Sequence, residues 1–337
     1  MIKPLVSIVG DIVRLVFLTF VPCLCLAGNS LAIDPVFSPG SFWYQKIPEN
    51  VPPHPQGSEL LKELVSQIDE GKGRVNINYK AYSSPVFVVA GGHVKHVKVA
   101  QWNCQNKKND FPNTSLAEQW NSVPIPDYVE PARGSDAELT IYDSEQDVIW
   151  EFWKARKDKE TGWSACWGGR IANASKNPGY FDGYFGATAT GLPFLGGQVT
   201  AEELARGEIR HVIGIALKRV AYRSVVYWPA QRSDGDKQYP FSAIPQGTRF
   251  RLSPSVNVNS LPLNKYGKVI ARAAQKYGFV VWDKAAVVSI RAQNYLSYQS
   301  GPKNISDELL PDEEQLSHAF DRFPWDRVEF LPPNYGK

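Results

Sequence analysis

Four acidic side chains stand where a pair of catalytic carboxyls would be sought. Asp136 and Glu138 project to the same side of one strand start, and Glu151 lies between Trp150 and Trp153. Asp234 occupies the turn Arg232-Ser233-Asp234-Gly235. Glycoside hydrolysis needs two carboxyls across a cleft, one of them with a raised pKa so that it arrives protonated. Apolar surroundings disfavour the carboxylate form, so Glu151 is the expected acid, with Asp136 or Asp234 as its partner. His211 is a titratable group on an otherwise apolar strand and joins them as a proton-transfer residue. The structural alternative for His211 is a core histidine held by a hydrogen-bond partner, and for each acid a turn or surface charge.

Aromatic and basic residues gather around these acids. Trp150, Trp153, Trp163 and Trp167 fall within eighteen residues, and a glycine-rich, aromatic stretch runs from Gly168-Gly169-Arg170 to Gly196-Gly197. A flat amphipathic indole suits the face of a sugar ring, and glycine lets backbone approach a ligand closely. Arg170 and Arg232 offer a fork for carboxylates or hydroxyls, and Tyr184 stands in the same stretch. Together, Trp150, Trp153, Trp163, Trp167, Arg170, Tyr184 and Arg232 are the expected binding residues of a cleft for a polysaccharide or other glycan. Two further readings fit the same residues. One is a non-catalytic glycan-binding module. The other is a polysaccharide lyase with His211 or Tyr184 as base and an arginine neutralising a uronate. A tryptophan-rich core is the purely structural alternative.

Other chemistries lack their signatures. The chain has no phosphate-binding loop, dinucleotide glycine fingerprint, His-Glu-x-x-His or Gly-x-Ser-x-Gly. His93 and His96 are three apart on an expected strand and would point to opposite faces, so no metal or other cofactor is expected. Ser164-Ala165-Cys166-Trp167, with His211-Val212-Ile213-Gly214, resembles the Cys and His blocks of papain-like and cell-wall cysteine peptidases. Glycines follow it, however, where the helix after the nucleophile should begin.

A chain of 337 residues can bury a large core, and 43% hydrophobic with 21% charged residues is the balance of a folded globular protein. A net charge of +3 without any Lys/Arg block offers nothing for nucleic acid. Lys3 and Arg14, the apolar run 15–26 and the small residues Ser30 and Ala32 form an export leader over residues 1–32. An uncleaved anchor over residues 15–33 is the alternative. Cleavage would give a secreted protein, extracellular or periplasmic, that is monomeric and free of the membrane. It would remove Cys23 and Cys25 and leave Cys104 and Cys166 to form a disulfide in an oxidising compartment.

These side chains need a β-rich scaffold to hold them. Residues 33–56, rich in proline and aromatics, read as an extended N-terminal arm. Leu60, Leu61, Leu64, Val65 and Ile68 make one apolar helical stripe over 58–70, capped by Ser58 and stopped by Gly71. A Thr200/Glu203 capping box opens a second helix that Gly207 ends, and 264–277 forms a third. Strands are expected at 85–90, 94–100, 138–142, 148–155, 209–217, 220–228, 248–252, 279–282 and 285–291, with a long polar insertion over 103–133. The hairpin 138–155 puts Ile149, Glu151 and Trp153 on one face and Val148, Trp150 and Phe152 on the other. Residues 209–217 are apolar on both faces and read as a central strand. Many short strands with three peripheral helices predict a mainly β fold. The specific expectation is an antiparallel β-sandwich of jelly-roll or concanavalin-like type, one domain over 33–337.

A pattern of short blocks adds a resemblance. It runs from Ser135-Asp136-Ala137 and Trp150-Glu151-Phe152-Trp153 through Gly168-Gly169-Arg170-Ile171 and the block 186–193 (GATATGLP). Gly207-x-Ile209-x-His211, Arg232-Ser233-Asp234-Gly235 and Arg249-Phe250-Arg251-Leu252 complete it. Over about two thirds of the mature chain this resembles a family of secreted bacterial β-sandwich proteins loosely similar to concanavalin-like and jelly-roll carbohydrate-active proteins. The resemblance implies a sandwich fold and a glycan ligand and carries no catalytic residues across. Where the family pattern has histidine this chain has Glu138, so no Asp/His pair transfers to 136–138.

Overall fold

The computed structural model describes residue 1 and residues 35–90, 94–238, 243–299 and 310–337. The expected leader and His93 lie outside the described residues. All strands and helices among the described residues belong to one unit, Leu31–Lys337. None of these helices is long and apolar enough to cross a membrane.

The strand patterns condense into several sheets. A four-stranded sheet runs in the order Trp167–Ala172, Val148–Trp153, Leu139–Asp143, Val86–Val89. A six-stranded sheet runs in the order Asn76–Asn78, Ser289–Arg291, Ile213–Leu217, Phe279–Lys284, Arg249–Leu252, Val328–Phe330. The hairpin forms as its alternation predicts, with Thr140 opposite Glu151 and Ile141 opposite Trp150. Asp143 closes its turn by accepting from the backbone N–H groups of Glu145 and Gln146. Ile213–Leu217 is buried along its whole length in the interior of the larger sheet.

Both sheets contribute to one buried aromatic layer. Ile149 and Ile171 from the smaller sheet and Val280 and Trp282 from the larger pack with Phe42, Trp43, Phe181 and Phe194. Gly214 makes room for this layer, because a Cβ there would overlap the Trp282 indole.

The pairing is mixed, not purely antiparallel. Asn76–Asn78 runs parallel to Ser289–Arg291, Val86–Val89 to Leu139–Asp143, and Ile213–Leu217 to Phe279–Lys284. A parallel partner requires a long crossover, and the chain between 217 and 279 supplies one that carries Arg249–Leu252 and the helix Lys265–Lys276. The three expected helices form at Gly57–Glu70, Ala201–Arg206 and Lys265–Lys276. The first starts at Gly57 without a side-chain cap from Ser58. Among the described residues, four more, each four to six residues long, join them. Residues 220–228 make no strand, since a turn closed by Val225 N–H to the Tyr222 carbonyl interrupts them. The polar insertion holds an Asn113-capped helix, Thr114–Gln119, and buries Leu116, Trp120 and Val123.

Candidate active site

A cavity of about 680 Å3 opens where the hairpin start meets the ends of two strands of the larger sheet. Its floor is charged. Glu138 comes from the hairpin, Asp283 from Phe279–Lys284 and Arg291 from Ser289–Arg291. The pairing of Ile213–Leu217 with Phe279–Lys284 shifts register, with Ile215 opposite Val281 and Ala216 opposite Asp283, so Trp282 is an extra, bulged residue. A bulge breaks strict alternation. Here Trp282 and Asp283 both reach Arg291, whose guanidinium lies 5.7 Å from the Trp282 ring and 2.9 Å from Asp283 Oδ2.

That guanidinium organises the floor. Arg291 Nη2 also faces Glu138 Oε1 at 3.7 Å, and the group lies 4.6 Å from the Phe194 ring. Glu138 and Asp283 differ in their access to solvent, with side-chain exposures of 1% and 14%. Burial pushes Glu138 up to about 7, against the pull of Arg291 and with a further push from Asp136. Burial likewise pushes Asp283 up to about 6, again opposed by Arg291. Asp283 Oδ1 accepts from the backbone N–H of Lys284 at 2.9 Å and of Ala189 at 3.4 Å.

The walls come from three loops. Asp136 accepts from the Trp153 indole at 3.1 Å. Ala137, between Asp136 and Glu138, has φ of 38°, in the left-handed region that side chains rarely occupy outside constrained sites. A second wall is the loop carrying Lys107 and Asp110. The disulfide between Cys104 and Cys166, with Cα atoms 5.6 Å apart, ties this loop beside Trp167. Lys107 Nζ sits 4.2 Å over the Trp167 ring, and Phe185 stacks with that ring at 6.2 Å. The third wall is the glycine-rich loop bearing Tyr184, which is 76% exposed. It lies flat on the smaller sheet because Gly169 has no side chain; a Cβ there would come within 2.8 Å of Gly186 N and the Phe185 Cβ.

Arg232 fixes this loop. Its guanidinium donates to the carbonyls of Ala189 at 3.0 Å, Gly186 at 2.9 Å and Thr188 at 2.6 Å, and also to that of Tyr184. Asp234 lies at the rim and accepts from Gln246 at 3.0 Å, with Lys284 Nζ 3.8 Å away.

The cavity thus brings together Asp136, Asp234, Trp153, Trp167, Tyr184 and Arg232 from the residues expected to form a site. The others lie elsewhere. Glu151 is fully buried on the same hairpin face as Glu138, and its Oε1 accepts from Leu195 N–H at 3.2 Å. Burial pushes it up to about 8, as its apolar setting predicts, but it does not line the cavity. His211 precedes its strand and faces Glu203 Oε2 at 3.2 Å, with Nδ1 2.8 Å from the Val212 carbonyl. Trp150 is a core residue whose indole donates to the Gln119 carbonyl at 3.0 Å, and Trp163 is buried in the same cluster. Arg170 is exposed on its strand and outside the cavity. The peptidase resemblance loses its nucleophile, because Cys166 is bonded to Cys104.

Sequence reasoning passed over Asp283 and Arg291. The available signal was a carboxylate and an arginine closing two otherwise apolar strands, Phe-Val-Val-Trp-Asp-Lys and Ser-Ile-Arg. No protein-family model, curated protein or solved structure matches the chain.

Proposed function

We propose that the protein is a secreted carbohydrate-active enzyme, a glycoside hydrolase that cleaves a polysaccharide in this cavity. The observation that carries the reading is the Glu138–Arg291–Asp283 cluster. Two carboxyls share one guanidinium nitrogen, at 3.7 and 2.9 Å. Their oxygens can be no further apart than those two distances laid end to end. For the two contacting oxygens that limit lies inside the outer bound of about 9.5 Å for glycosidase carboxyl pairs. Unequal environments divide the roles. Glu138, whose two carboxyl oxygens are sealed, holds its proton close to neutral pH and, once the bound sugar uncovers it, delivers that proton to the glycosidic oxygen. Asp283, ion-paired with Arg291 and partly open to the cavity, serves as base or nucleophile. In this reading Glu138 and Asp283 take the roles first sought in Glu151 and Asp234. Asp136 and Asp234 bind hydroxyls, and Trp153 and Tyr184 hold the sugar face.

We take the two sheets and their shared aromatic layer to form a β-sandwich of a monomeric protein, exported if residues 1–32 act as the leader that their sequence suggests. Hydrolysis is preferred to elimination because His211 is engaged by Glu203 outside the cavity and Arg232 is spent on backbone carbonyls, so that Tyr184, the other expected base, lines the cavity without an uncommitted arginine to neutralise a uronate. Reducing-end release from a panel of polysaccharides tests the proposal. Wild type should release product, and Glu138→Gln and Asp283→Asn should each cut kcat by about a thousandfold while retaining binding. Tight binding by wild type without product over days would retire the enzyme in favour of a binding module. An unsaturated, ultraviolet-absorbing product would establish a lyase.

A further inference from the structure

Resting on that reading, we infer that the sugar seated on the cavity floor carries no carboxylate: the glycan is neutral or amino-bearing at that position, not a uronate. Among the described residues, four cationic side chains line the cavity: Lys107, Arg232, Lys284 and Arg291. Three are committed to protein partners. Arg291 is ion-paired with Asp283 at 2.9 Å and faces Glu138 at 3.7 Å. Arg232 donates to the carbonyls of the Tyr184-bearing loop. Lys284 contacts Asp236 at 2.9 Å and Asp234 at 3.8 Å, and donates to the Asp234 carbonyl at 3.3 Å. Lys107 is exposed and held over the Trp167 ring at 4.2 Å.

The acidic side is more open. Asp136 uses Oδ1 to accept from Trp153, and no donor among the described residues reaches its Oδ2. A uronate on the floor would therefore set a third negative charge beside Asp136 and Asp283 and find no arginine fork to receive it. Drawing Arg291 away would strand Asp283 as a buried, unpaired charge. A hydroxyl or an ammonium meets the opposite situation, with Asp136 Oδ2 as a ready acceptor. The floor selects its ligand by repelling one class as well as by binding another.

Calorimetric titration with matched ligand pairs tests this. Oligogalacturonate and oligomannuronate are each compared with their carboxyl-reduced forms, which keep the stereochemistry and remove the charge; cellohexaose and a chitosan hexamer are added as neutral and amino-bearing probes. The expected result is binding of at least one uncharged or amino-bearing ligand. Each carboxylate form should bind at least about tenfold more weakly than its reduced partner. Asp136→Asn should narrow that gap, and it should weaken the chitosan hexamer if that probe binds. A uronate that binds as tightly as its reduced partner, or more tightly, and perturbs the fluorescence of Trp153 in a Trp153→Phe comparison would overturn the inference and leave the carbohydrate reading standing. Failure of every probe to bind a folded protein would overturn both.

Discussion

Replacing Glu138 with glutamine should stabilise the protein above neutral pH while leaving the balance at low pH almost unchanged. The side chain is 1% exposed. Its carboxyl titrates at about 7 in the folded protein, against 4.5 for an ordinary glutamate. Because the folded value is the higher one, folding favours the protonated form. The carboxyl costs nothing below pH 4.5, its cost builds as pH rises through 7, and it is constant beyond. At about 1.4 kcal/mol per pKa unit the full cost is about 3 kcal/mol. Arg291 does not cancel it. At 3.7 Å and an effective dielectric of about 20 the attraction is worth about 4 kcal/mol, yet the shift remains upward, so desolvation is larger still.

Glutamine keeps the shape and loses the charge, and it does not strand Arg291, which retains Asp283 at 2.9 Å. Urea denaturation of both proteins at several pH values between about 4 and 8 is the assay. Any penalty for the new amide is common to all of them, so the slope carries the test. The variant should gain about 3 kcal/mol on wild type across this interval. A difference that stays flat within about 1 kcal/mol would refute the buried-acid reasoning. The same substitution should cut kcat by about a thousandfold, and a site that gains stability as it loses activity is one held at a cost for its function.

Replacing Cys104 and Cys166 by serine should cost about 4 kcal/mol, the chain-entropy value for a loop of this length. It should also speed hydrogen exchange over 103–113, and two alkylatable thiols in the wild-type protein would contradict the bridge. Gly214→Ala should destabilise by about 1–3 kcal/mol, because the new methyl overlaps the Trp282 indole; unchanged denaturation and near-ultraviolet dichroism would contradict that packing. Arg232→Ala should cost about 3 kcal/mol by leaving buried carbonyls without donors. Exchange should quicken over 184–189, and a loop as protected as in wild type would show that other contacts hold it.

Local signals were the legible part of the fold. The Thr200/Glu203 box, with reciprocal bonds and Gly207 in the left-handed region, forms as its sequence implies. So do the hairpin alternation and the cysteine pair. Pairing partners were not legible. Of the strand expected over 209–217, only Ile213–Leu217 forms, covered on both faces as expected, and an apolar strand carries no mark that says which neighbour lies parallel to it. Asp283 and Arg291 became adjacent only through that pairing, which explains why two of the three floor residues were missed while Asp136 was found at a strand start and Asp234 in a turn.

Glu151 shows why a raised pKa is not enough to identify a catalyst. It faces Thr140 directly across the hairpin, and Glu138 lies two residues from Thr140 on the same face, so the two acids share one environment. Burial raises both, and Glu151 more, to about 8 against about 7. Yet Glu151 lies under the short helix Phe194–Gly197 with Leu195 N–H donating to it, while Glu138 reaches the floor of a cavity with a second carboxyl beyond Arg291. Apolar neighbours in a sequence report desolvation, which raises the pKa of any buried acid. Access and a partner are properties of strand order and of the Trp282 bulge, and those decide which buried acid can meet a substrate.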